Sequence, residues 1–123
     1  MRFARLFDRR DSAGRWTFDP ERPRLTDPAE RILVSEFLAG GVMITRITGR
    51  DDDLLDPARR HAVPMSTHTD GTWIWNAAVR YYLNEHGIAP EPDFLAHMAA
   101  CRYVAATPAD AVCRTALAEL RAR

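Results

Sequence analysis

Residues 63–75, "VPMSTHTDGTWIW", constrain this chain more than any other stretch. Side chains that favour strands alternate on both sides of Asp70-Gly71, a dipeptide suited to the positive-φ positions of a tight turn. A β-hairpin is the expected result. With a two-residue turn, Thr69 faces Thr72, His68 faces Trp73, Thr67 faces Ile74 and Ser66 faces Trp75. Because strand side chains alternate, His68, Trp73, Ser66 and Trp75 then share one face, and Met65, Thr67 and Ile74 the other.

Helices flank that hairpin. Asp27 as N-cap, Pro28 at the first helical position and Glu30 three residues after the cap open one helix, and Gly40-Gly41 ends it. Ala29, Leu33 and Phe37 recur on one face of it, with Ile32 and Leu38 beside them. "VMITRI" then reads as a strand. After the hairpin, Asn76 caps a second helix whose apolar stripe is Ala78, Val79, Tyr82, Leu83 and His86. Tyr81 falls on its polar side with Arg80, Asn84 and Glu85. A third helix aligns Phe94, Met98, Cys101 and Ala105, and a fourth, opened by Thr107-Pro108, aligns Val112, Ala116 and Leu120. The first 25 residues suggest two short edge strands, at "RFARLF" and "RWTF". The expectation is an α+β fold: a small antiparallel sheet including a 63–75 hairpin, packed on about four helices. It forms a single domain over 1–123, with edge strands in 1–25 and the main body in 26–123.

With 123 residues, 46% hydrophobic and 28% charged, the chain can bury one core without metal or disulfide staples. Its formal net charge is zero, which gives no global attraction to nucleic acid or to an anionic membrane. No apolar run approaches the roughly 18 residues of a membrane span, and "MRFARLFDRRD" lacks the apolar core of a signal peptide, so a cytoplasmic protein is expected. All 17 basic residues are arginine. The absence of lysine excludes a Schiff-base lysine, a catalytic lysine base and the phosphate-binding lysine of a P-loop. G-x-S-x-G, G-x-G-x-x-G, H-E-x-x-H and paired C-x-x-C motifs are also absent. No cofactor is expected.

Among the remaining candidates, His68 and Asp70 form the best acid–base pair, since strand geometry places residues two apart on one face. Asp70 also has a purely structural reading as a turn residue. His97 and Cys101, four apart on a helix, could share an ion with Cys113 or His86; the apolar position of Cys101 favours a buried thiol, and no metal site is expected. Asp51, Asp52, Asp53 and Asp56 read as a solvated loop. The N-terminal arginines, interspersed with Asp8, Asp11, Asp19 and Glu21, read as an ion-paired surface. Trp75 and Tyr82 belong to the inferred core. Trp73 and Tyr81 are harder to bury, and an aromatic ring exposed beside an arginine is a common binding anchor.

The order Thr69-Asp70-Gly71-Thr72-Trp73-Ile74-Trp75, then Tyr81-Tyr82-Leu83 and His86-Gly87, resembles a group of small uncharacterised actinobacterial proteins. The resemblance covers the middle of the chain and the start of its C-terminal part. It brings no activity with it. The leading expectation is a non-enzymatic protein-binding domain, of the kind that serves as an immunity or accessory protein beside a toxin or a biosynthetic enzyme. Trp73, Trp75, Arg80, Tyr81, Tyr82 and His86 are its candidate binding residues. The alternative is a small lysine-free isomerase, cyclase or hydrolase, with His68 as base, Asp70 as orienter and aromatic walls. Another protein is the expected partner and a small molecule the alternative ligand; nucleic acid and membrane are not expected, and the oligomeric state is left open.

Overall fold

The computed structural model describes residues 1–123. Its main sheet runs in the order β1 (Arg2–Phe3), β8 (Trp73–Asn76), β7 (Thr67–Thr69), β4 (Val42–Thr45). β1 lies parallel to β8, and the other neighbours are antiparallel. Two short ribbons stand apart, β2 (Arg9–Arg10) with β3 (Trp16–Thr17) and β5 (Arg50–Asp51) with β6 (Val63–Pro64). The helices are α1 (Pro28–Ala39), α2 (Ala78–His86), α3 (Pro92–Ala100) and α4 (Asp110–Arg121). The fold is α+β. No helix is long and apolar enough to cross a membrane.

The hairpin forms where the turn chemistry puts it, but two residues out of the expected register. Thr69 pairs with Ile74, His68 with Trp75 and Thr67 with Asn76, so the connection spans Asp70 to Trp73 rather than two residues. Side-chain hydrogen bonds explain the wider turn. Asp70 Oδ1 accepts from the amides of Thr72 and Trp73, and Thr69 Oγ1 accepts from Gly71 N while donating to Trp73 O. Gly71 sits at φ 94, a conformation that side chains disfavour. A slip of two residues keeps every side chain on its face, because the strand period is two. His68 therefore still lies with Trp73 and Trp75, but opposite Trp75, with the rings stacked at 6.4 Å.

The main core forms on that face. Trp73, Trp75, Phe37, Phe94, Val34, Leu38, Val79, Leu83 and Met98 make one buried cluster, each large side chain contributing about 1.5–3 kcal/mol by leaving water. Trp75 fits because Gly41 has no side chain: a Cβ there would lie 2.3 Å from Trp75 Cζ2. Trp73 is the residue the pattern misjudged. It is 2% exposed, stacked on Phe94 at 4.8 Å and covered by the Arg2 guanidinium 4.4 Å from its ring. The covering strand β1 comes from the other end of the chain, so nothing near Trp73 in sequence predicts its burial.

Capping of α1 follows the sequence, since Asp27 accepts from Ala29 N and Gly40 ends the helix. Its buried face follows only in part, since Phe37 and Leu38 are buried as the pattern has them. Val34, Phe37 and Leu38 turn inward, whereas Ile32 and Leu33 are exposed. Apolar residues surround this helix, so periodicity alone left the stripe undecided; docking on α2 decides it, with Arg31 Nη2 donating to Leu83 O and Asn84 O. α2 buries Ala78, Val79, Tyr82 and Leu83, and Asn76 Oδ1 accepts from Ala78 N at its start.

A smaller cluster, Phe18, Val63, Ala78, Tyr82 and Ile88, lies beneath the N-terminal ribbon. Exposed arginines there pair with carboxylates, Arg9 with Asp19 and Arg15 with Asp11 at the surface and Arg5 with the buried Asp8. Arg22 instead is buried. Its guanidinium donates to Ala89 O, Leu6 O and Asp8 Oδ1, tying the N-terminal segment to the body.

Candidate functional site

Three side-chain assemblies follow from this fold. The first is an open cleft of about 330 Å³ between the end of α1, the β5–β6 ribbon and α2. Its floor is Trp75 and Leu38, and its walls include His68, Arg50, Arg80 and Tyr81. Four sequence candidates that lie up to 13 residues apart thus meet in one place. Trp75 is held by its indole N–H donating to Leu38 O. Arg80 reaches back to α1, its Nε donating to Ser35 O and Oγ. A second depression continues the cleft past His68, adding Arg46, Met43 and Ile47. Arg46, Arg50 and Arg80 form no ion pair. The surface is therefore an apolar floor beside three arginines without ion pairs, and the carboxylate that shares the wall, Glu85, is itself paired with Arg59.

His68 does not form the expected acid–base pair. Its Nδ1 lies 3.3 Å from Gly41 O and its ring rests on Trp75. Asp70 is turned elsewhere: one oxygen holds the turn amides, and the other meets His97. With no carboxylate to orient His68, the enzymatic alternative loses the pair it was built on. Trp73 and Tyr82 are likewise core residues, absent from the cleft. Tyr82 is 2% exposed and its hydroxyl accepts from Leu54 N; burial pushes its phenol up.

The second assembly contradicts the reading of the acidic loop as solvated. Asp51 and Asp52 are exposed, but the Asp53 side chain is fully buried. Its Oδ1 accepts from Leu55 N and Asp56 N, and its Oδ2 from His86 Nε2 at 2.6 Å and the Tyr81 hydroxyl at 2.7 Å. Burial alone would raise this carboxyl, yet the bonds from His86, Tyr81 and the loop amide outweigh it and hold Asp53 below its ordinary value. Burial, with Asp53 beside it, raises the Tyr81 phenol, which stays a neutral donor. Hydrogen bonds to Glu85 and Tyr81 raise Arg59 and keep it cationic. His86 is thus a half-buried structural partner and does not line the cleft.

The third assembly brings together Asp70, His97 and Cys101. His97 Nε2 donates to Asp70 Oδ2 at 2.6 Å, and Cys101 Sγ lies 3.7 Å from the same nitrogen. Helical spacing puts His97 with Cys101, whereas the strand pattern assigns Asp70 to His68. Residues 27 apart in sequence supply the actual pair, and no local signal connects them. Cys113 stays apart, its Sγ 3.9 Å from Pro108 O.

No family model matches the chain, and no curated protein or solved structure matches it, so its chemistry is read from these three assemblies.

Proposed function

We propose that this chain is a non-enzymatic protein-binding domain that grips an acidic segment of its partner in the cleft above Trp75. The carrying observation is the rim: Arg46, Arg50 and Arg80 form no ion pair beside an apolar floor of Trp75 and Leu38. A partner carboxylate against this rim gains attraction without displacing an internal salt bridge, and an apolar partner side chain fills the floor. Tyr81 and His68 line the same cleft. The immunity or accessory role expected from the sequence is of this kind, one protein covering a charged surface of another with no bond made or broken.

The test is binding to an array of short acidic peptides, each carrying one large apolar residue, beside matched peptides with Asn and Gln replacing Asp and Glu. The acidic set binds in preference, and added salt weakens it. Arg50→Glu with Arg80→Glu reduces binding at least about tenfold, the effect expected of reversing rim charges. Arg50→Glu alone, which leaves the Arg80–Ser35 contacts intact, gives a smaller loss in the same direction. Equal binding of both peptide sets, or an unaffected double variant, overturns the proposal.

A further inference from the structure

The geometry points to Asp70, His97 and Cys101 as a binding site for one divalent transition-metal ion of the zinc type. These residues belong to none of the cleft walls, and their chemistry is separate from the proposed protein contact.

Construction of the site starts at the hairpin turn. Asp70 Oδ1 is committed to the amides of Thr72 and Trp73, which fixes the carboxylate and aims Oδ2 at α3. His97 lies in the last turn of α3 and Cys101 is its C-cap, with Cys101 N donating to His97 O, so the two side chains stand one turn apart on the same side. Phe37 and Trp73 flank the imidazole, with ring centroids 6.0 and 6.2 Å away. The three donor atoms lie within 4.8 Å of one another. The Asp70 side chain is buried, while His97 remains 18% exposed, leaving an approach for an ion and a fourth position for water.

One feature separates a metal site from a nucleophile triad. A thiol–imidazole–carboxylate relay needs the thiol and the carboxylate on opposite ring nitrogens. Here both converge on Nε2: Asp70 Oδ2 at 2.6 Å and Cys101 Sγ at 3.7 Å, with Nδ1 farther from the sulfur at 4.0 Å. Coordination requires donor atoms gathered around one point, and the carboxylate oxygen and the sulfur both lie on the Nε2 side of the ring, where the Nε2 hydrogen now sits. Bonds of about 2.0–2.3 Å in a tetrahedral site put donor atoms roughly 3.3–3.7 Å apart. The His97–Cys101 spacing already meets that distance, and Asp70 and His97 must separate by under about 1 Å to admit the ion. Imidazole and thiolate beside a single carboxylate select a borderline-soft cation over calcium or magnesium, which take mainly oxygen.

On binding, two hydrogens leave the donor atoms. The Cys101 thiol releases its proton to solvent. His97 Nε2 gives up the hydrogen it shares with Asp70, to solvent or to Nδ1, and its lone pair turns to the ion. No electron is transferred. The bound ion would clamp the hairpin turn to the end of α3, so it stabilises the folded chain by mass action.

Titration of the metal-free, reduced protein with cobalt(II), followed by displacement with zinc(II), tests the site. One equivalent of cobalt gives a thiolate-to-metal charge-transfer band together with visible ligand-field bands, and zinc abolishes both. Cys101→Ser removes the charge-transfer band. Asp70→Asn and His97→Gln weaken binding by more than about a hundredfold, beyond the roughly 10–100-fold that follows loss of an outer-shell partner. Cys113→Ser and His86→Gln leave the spectrum unchanged. Alkylation of the wild-type protein provides a test that needs no variant: zinc protects Cys101 from iodoacetamide and leaves Cys113 reactive. Absence of a charge-transfer band, its survival in Cys101→Ser, or equal alkylation of Cys101 with and without zinc overturns the inference.

Discussion

Asp53 and Asp70 are built alike and finish differently. Each is a buried carboxylate in a loop, with Oδ1 accepting two nearby backbone amides and Oδ2 receiving a histidine Nε2 at 2.6 Å. The Asp53 pair is completed by the Tyr81 hydroxyl, so the second oxygen has two donors. At the Asp70 pair the next group is the Cys101 thiol, a weak donor and a good ligand. One device thus serves two ends. With a phenol beside it, the pair is a closed polar network that fixes a loop; with a thiol beside it, the pair leaves a donor set that an ion can use.

Truncating the carboxylates tests this difference most strongly. Asp53→Ala strands His86, Tyr81 and two loop amides, and is expected to cost about 3–5 kcal/mol. Asp70→Ala, with one fewer donor stranded, is expected to cost about 2–3 kcal/mol. Urea unfolding with an unchanged m-value measures both. Equal costs would mean that the Tyr81 arm contributes nothing.

Acid sharpens the contrast next. The folded value of Asp53 is depressed below 3.8, so its contribution is fully present above that unfolded value and disappears as pH falls through the lower folded one. Comparing wild type with Asp53→Asn, the stability gap is constant near neutrality and narrows only below about pH 4. A gap that stayed constant down to pH 2, tracked by unfolding midpoints, would show that the carboxylate charge is not what the network holds.

Smaller effects separate the third groups. Tyr81→Phe removes one bond to a charged acceptor and is expected to cost about 1.5 kcal/mol. Cys101→Ser in metal-free protein should change stability by no more than about 0.5 kcal/mol, since the thiol completes no network there. A loss as large as that of Tyr81→Phe would make the thiol a structural partner like the phenol and remove the distinction.

Much of the fold was legible in the sequence because its signals are short-range. The Asp27 cap, the Gly40 stop, the Asp70-Gly71 turn and the α2 stripe each depend on residues within a few positions of one another. The hairpin faces survived even a register slip of two. The misjudged positions share another property. Trp73 is buried by Arg2 and Phe94, the α1 stripe is chosen by α2, and Asp53 is buried by residues 28 and 33 positions away.

The candidate sites divide along the same line. Sequence alone determined that Asp70 would serve its turn, because an aspartate side chain reaches a backbone N–H two or three residues on whatever else the chain does; Asp53 uses the same local reach, but its place in an acidic run read as solvent-facing. Sequence also put His97 and Cys101 on one helix face through the 3.6-residue repeat. Only the tertiary structure decided where each second carboxylate oxygen points. Asp70 meets His97 rather than His68, and Asp53 meets His86, because helix docking against the sheet and loops sets those partners, and no spacing rule reaches across 27 or 33 residues.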